Sequence, residues 1–125
     1  MNTETFNSIV DQRVEKIKAT LVRKSAEYSS DDDRLHNFKI AGRINGETPE
    51  KALWGMMAKH LVSVIDIIAD SNRGKLPSAA MRDEKLGDAI NYLILLEALL
   101  IEKSPPDPVI VKGMCAELHY GAATR

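Results

Sequence analysis

Apolar residues return at steps of three and four in three stretches of this chain. In the first, Phe6, Ile9, Val10, Val14, Ile17 and Leu21 mark one face, with Lys and Glu on the other. That period predicts an amphipathic helix from Thr3 to about Ala26. The second stretch opens at Thr48-Pro49-Glu50, which offers a capping hydroxyl, a proline at the first helical position and an acid in the first turn. A helix to about Ala69 follows, in which Leu53, Trp54, Met56, Met57, Leu61 and the residues through Ile68 leave little polar surface. The third runs from Met81 to Glu102 and is apolar nearly all the way round from Ala89 to Ile101. A helix apolar on every side is a buried one, so the second and third helices are expected to be central.

The connecting segments punctuate these helices. Ser29, Ser30 and Asp31-Asp32-Asp33 offer oxygens to free backbone N–H groups, which favours a turn or a helix cap. A short helix from about Arg34 to Gly42 would follow, with Leu35, Phe38 and Ile40 or Ala41 available for packing. Asn45-Gly46 is a turn without strand-like flanks, and residues 70–78 form a loop. Ser104-Pro-Pro-Asp-Pro108 ends the third long helix. Val109-Ile-Val111 is left open between a short strand and a helical turn. The expected fold is an all-α antiparallel bundle of three long helices plus at least one short one, spanning residues 1–104. Residues 105–125 are expected as a tail that packs on the bundle or on a neighbouring subunit. Two nearly all-apolar helices are hard to cover in so small a chain, which predicts a homo-oligomer.

Composition narrows the function classes. A chain of 125 residues is one domain by size, and 28% charged with 44% hydrophobic residues is ordinary globular composition. The net charge is −1, from 17 basic and 18 acidic residues, so bulk charge gives no support for binding to nucleic acid or anionic membranes. Cys115 is the single cysteine and cannot form an internal disulfide. The start, Met-Asn-Thr-Glu-Thr-Phe, has no secretory pattern, and Leu93–Ile101 is shorter than the roughly 20 residues a spanning helix needs. A soluble, cytoplasmic protein with no membrane segment is expected.

Walker, dinucleotide-binding, zinc and nucleophile-elbow motifs are all missing from the sequence. Four polar groupings remain. Glu84, Asp88, Asn91 and Tyr92 share one face of the third helix at about 100° per residue. Two carboxylates one turn apart are a minimal Mg²⁺ set when phosphates complete the shell. Glu84 is equally an acid of a solvated first turn, whereas Asp88, Asn91 and Tyr92 lie deeper in the apolar run, where the functional reading is favoured. Lys59, Ser63 and Asp66 share a face of the second helix, with His60 one step round. They suit phosphate oxygens, or else they form a solvated face. Asn37, Phe38 and Lys39 offer an amide, a ring and an ammonium to a base and its phosphate, beside a solvated Asp31–Asp33 cap. Glu27 and Tyr28 would close over the same space. Trp54, Met56 and Met57 are assigned to the core.

Lys24-Ser-Ala-Glu-Tyr28, Asp33-Arg-Leu-His-Asn-Phe-Lys39, Thr48-Pro49, Gly55-Met-Met-Ala-Lys-His-Leu-Val-Ser-Val-Ile-Asp66 and Asp83-Glu-Lys-Leu-Gly-Asp-Ala-Ile-Asn-Tyr-Leu93 together resemble small phage and prophage proteins of the nucleotide-modification-associated group. That group is in turn similar to the all-α NTP pyrophosphatases of the MazG and dimeric dUTPase type. The resemblance spans about residues 5–103, and Asn37-Phe38 and Asp88-x-x-Asn91-Tyr92 are its most specific pieces. It implies a nucleotide pocket on an all-α scaffold. Pyrophosphatases of this type hold Mg²⁺ with an E-x-x-E and an E-x-x-D pair. Here Asp88 remains, but Lys85 stands where the E-x-x-D glutamate would be, and Lys59-His60 with Asp66 stand in place of paired glutamates.

Loss of carboxylates and gain of cations moves such a pocket from Mg–phosphate towards phosphate itself. The first expectation is therefore a phage-type protein that captures a nucleotide or nucleotide-derived signal, in its sharpest form a sponge against host defence signalling. Its ligand contacts would be Tyr28, Asn37, Phe38, Lys39, Lys59, His60, Asn91 and Tyr92. The alternative is a Mg²⁺-dependent pyrophosphohydrolase with Glu84, Asp88, Asp66 and in addition Glu27 around the metal, and His60 or Glu84 activating water. A helical interaction protein without a small ligand is the third.

Overall fold

The computed structural model describes residues 1–23 and 33–105. Four helices appear in them, and no strand among the described residues: α1 (Thr3–Lys18), α2 (His36–Asn45), α3 (Pro49–Asn72) and α4 (Ala79–Lys103). The fold is all-α, with three long helices and a short one, as the apolar periodicity requires. Each long helix starts where a side-chain oxygen meets a free backbone N–H. Asn2 Oδ1 accepts from Thr5 N–H at 2.8 Å, Thr48 Oγ1 from Lys51 N–H at 3.2 Å and Ser78 Oγ from Met81 N–H at 3.1 Å.

Several boundaries depart from expectation: α2 runs past Gly42 to Asn45, and α3 runs past Ala69 to Asn72, into the expected loop. The first helix keeps its α register only to Lys18 and then widens into a π-helical turn, Ala19–Arg23. The short helix begins at His36 rather than Arg34, because Asp33 Oδ1 takes the Leu35 N–H at 3.0 Å and holds the chain in a turn. It ends at Gly46, whose φ of 66° supplies the left-handed cap. Gly42 lies at the α2–α3 corner, where a Cβ would stand 2.8 Å from the Glu47 carbonyl oxygen.

α3 and α4 run antiparallel, with Glu50 paired to Lys103 at one end (2.7 Å) and His60 beside Asp88 and Tyr92 nearer the other. α2 packs on α3, and α1 packs on α4, over its N-terminal half. The core is small. Leu35, Phe38, Leu53 and Leu99 form it, with Ala52 and Met57 buried nearby, where α2 crosses the start of α3 and the end of α4.

The expectation that α3 and α4 are buried all round does not hold among the described residues. Trp54 is 55% exposed, Ile65 63% and Leu93 52%. Of the three residues assigned to the core, Met57 is there, whereas Trp54 and Met56 are exposed. The reason is one-sided cover: α1 and α2 lie over one side of the α3–α4 pair and leave the other open. α3, rather than Leu93–Ile101, is the segment long and apolar enough to cross a bilayer by length and composition, over a window of mean hydropathy 1.4.

Candidate functional site

A cleft of about 220 Å³ opens between the C-terminal half of α1 and the N-terminal half of α4. Arg13, Lys16, Ile17 and Thr20 line one wall, the last from the π-helical turn; Asp83, Glu84, Gly87, Asp88 and Asn91 line the other. α4 presents those residues together because they recur at steps of three and four along it. Gly87 is the point of closest approach. A Cβ there would come within 2.6 Å of Arg13 Nη1, so the bare backbone lets the guanidinium lie across the helix.

The charges in the cleft are mutually engaged. Asp83 Oδ1 lies 2.8 Å from Lys16 Nζ and 3.1 Å from Arg13 Nη2, and Arg13 Nη1 donates to the Asp83 carbonyl at 3.4 Å. The Lys16 ammonium holds the Asp83 carboxyl below the usual range. Lys85 Nζ sits 2.7 Å from Glu84 Oε1, lowering the Glu84 pKa and raising its own. At the inner end, Asp88 Oδ2 is 3.3 Å from His60 Nδ1. The His60 and Tyr92 rings lie with centroids 5.0 Å apart and planes tilted by 34°. Burial, and then the Asp88 charge, push the Tyr92 phenol above its ordinary pKa.

One group in this wall has no partner. Asn91 Oδ1 is buried and accepts no hydrogen bond. An unmet buried acceptor costs roughly 1–3 kcal/mol, so its retention calls for a reason.

The structure brings together His60, Asp88, Asn91 and Tyr92, with Glu84 one turn before Asp88. Lys59 and Asp66 are exposed on α3, sharing a face with Ser63, whose Oγ donates to the Lys59 carbonyl at 3.1 Å. Asn37, Phe38 and Lys39 are elsewhere. Asn37 is exposed, and Phe38 is 9% exposed within the core, where its ring has no free face for a base. Lys39 Nζ bridges Asp33 Oδ2 and Glu102 Oε1, each at 2.8 Å. Glu102 lies 14 residues along α4 from Asp88, about 21 Å at the helical rise. Tyr28 and Glu27 lie outside the described residues.

A Mg²⁺ set of Glu84, Asp88 and Asp66 does not fit this geometry. Glu84 is taken by Lys85 and Asp88 by His60, and among the described residues no three His, Cys, Asp or Glu side chains gather as ligands. Arg13, Lys16, Thr20 and Gly87 complete the cleft without having been singled out from the sequence. Lys16 reads there as solvated surface, because the pairing that recruits it to Asp83 spans 67 residues. Gly87, a helix-weakening residue inside a strong helical pattern, is the signal that was available. No family model, no curated protein and no solved structure matches the chain.

Proposed function

We propose that this chain binds a nucleotide or nucleotide-derived molecule in the cleft between α1 and α4 and does not turn it over. The observation that carries the reading is Asn91, an amide with a buried, unmet acceptor in the wall of a polar cleft. An amide that offers both an acceptor and donors matches the edge of a nucleobase, which presents both. Tyr92, on the same turn, packs on the His60 ring and the core and so backs the wall rather than lining the cleft. Across the cleft, Arg13 and Lys16 are the groups for phosphate or sugar oxygens, shared with Asp83. Among the described residues no carboxylate set is free to hold a cation, which supports capture over hydrolysis. The motif resemblance supports the nucleotide class, and capture of a signalling nucleotide is its sharper form.

The test is a panel of mono-, di-, tri- and cyclic nucleotides incubated with the protein in Mg²⁺ or in EDTA, with chromatography after denaturation. Binding that survives EDTA, with the ligand recovered intact, is expected. A bound ligand at a hundred times its Kd adds about 2.7 kcal/mol of stability, so thermal shift reads the same event. Mg²⁺-dependent conversion of a nucleotide would replace this reading with the pyrophosphohydrolase one.

A further inference from the structure

Among the described residues, the side of the α3–α4 pair turned away from α1 and α2 is apolar and uncovered. On α3, Trp54, Val62, Ile65 and Ile68 are 55%, 56%, 63% and 56% exposed, with the exposed Ala58 and Ala69 in the same stripe. On α4, Leu86, Leu93 and Leu100, spaced seven apart, are 36%, 52% and 51% exposed. At about 100° per residue, each stripe lies roughly 110–120° from the line joining the two helices. Because the helices are antiparallel, both stripes turn to the same side, forming one face opposite the cleft. Its large side chains expose roughly 700 Å² per chain, above what a monomer ordinarily leaves open, and two such faces reach about 1,400 Å², within the range of a stable interface.

Two charges interrupt this face. Arg82 and Glu97 lie in the α4 stripe, both exposed, and neither has an ion-pair partner among the described residues. Lipid would offer them none.

We propose that the face is the interface of a symmetric dimer, with a second copy of this chain stacked α3 on α3 and α4 on α4, antiparallel. A two-fold axis crossing α4 between Ala89 and Ile90 sets Leu86 opposite Leu93 of the second copy. It also sets Arg82 opposite Glu97 of the second copy, twice by symmetry. His60 lies between Asp88 and Tyr92, hence level with Ile90. The same axis therefore crosses α3 near Leu61 and Val62. There it sets Trp54 opposite Ala69 of the second copy and Ala58 opposite its Ile65, large against small on either side of Val62, which meets its own copy near the axis. One register thus satisfies the charges of one helix and the shapes of the other.

Sedimentation and light scattering on the full chain test this. The expected mass is twice the 13.9 kDa of one chain. Arg82→Glu and Glu97→Arg should each weaken the dimer by about tenfold or more, through like charges set face to face, and the two together should restore it to within a few-fold. Leu93→Lys, at an exposed position, should give a helical monomer. A parent that stays monomeric at all concentrations overturns the proposal, as does a dimer indifferent to Leu93→Lys. Failure of the double charge reversal to rescue overturns the register. Capture of a monomeric parent on phosphatidylcholine vesicles, lost in Leu93→Lys, overturns it in favour of a lipid surface.

Discussion

Asn91→Leu separates stability from binding in a single substitution. Leu keeps the branching of Asn at Cγ and is bulkier, but the cleft that Asn91 lines leaves room for the extra volume, and the substitution removes an acceptor that the folded chain buries without a partner. Relief of that desolvation contributes about 1–3 kcal/mol, and the better helix propensity of Leu adds a few tenths. For a chain of 125 residues the unfolding entropy near 60 °C is about 0.26 kcal/mol/K, so each kcal/mol raises Tm by roughly 4 °C. The ligand-free variant should therefore melt at least about 4 °C above the parent in calorimetry. Its affinity for whichever nucleotide the parent takes should fall at least about tenfold, since the ligand loses a hydrogen-bonded partner in a partly desolvated wall. A lower Tm with binding unchanged would show that Asn91 serves the fold and that the ligand sits elsewhere. A higher Tm with binding unchanged would likewise refute the placement of the ligand.

Other expectations follow from particular contacts. In a spectrophotometric pH titration, one tyrosine should ionise above the ordinary range, and Tyr92→Phe should remove that step, because burial opposes the Tyr92 phenolate. Lys103→Met should lower Tm at neutral pH, since Glu50, with its side chain 14% exposed, loses its cation. Glu50's folded pKa is lowered mainly by Lys103, so its contribution is present above the unfolded carboxyl value. The gap between parent and variant should close as pH falls through the folded one. Gly42→Ala and Gly87→Ala should diverge in chemical denaturation, although each gains about 1 kcal/mol of helix propensity. At Gly42 the new methyl meets backbone at 2.8 Å and the variant should be less stable. At Gly87 it meets only the flexible end of Arg13 and should be neutral or stabilising. Leu53→Ala, at a fully buried position in a core this small, should cost about 2–5 kcal/mol and unfold much of the population at 37 °C.

The helices were legible in the sequence because their signals are local. Thr48 and Pro49 fix the start of α3 to the residue, and the apolar period finds all three long helices. The limits of legibility were long-range. Phe38 beside Asn37 and Lys39 has the composition of a base-stacking site, yet the ring fills the space between Leu53 and Leu99, which the sequence order gave no means to see. Lys39 reads as a phosphate ligand until Glu102, 63 residues away, is placed beside it. Lys16 and Arg13 were the reverse case, ordinary surface residues on α1 until Asp83 recruits them. His60, Asp88, Asn91 and Tyr92 were found together because two helices with strong periodicity fix which faces meet. Burial was overestimated for a plain reason: an apolar stripe shows that a face needs cover, and does not say that the same chain supplies it.

The small core lies at one end of the bundle and the cleft at the other. Among the described residues, nothing in the second half of α3 is fully buried, and in the first half of α4 only Gly87 is. Amide hydrogen exchange should therefore run unevenly along the same two helices, slow near Leu53 and Leu99 and fast near His60 and Gly87. A molecule that fills the cleft ties α1 to the soft end, and part of its binding free energy goes into quieting that motion. On the proposed reading, occupancy of such a site would register as a change in protection, with the firm end unaltered as an internal reference.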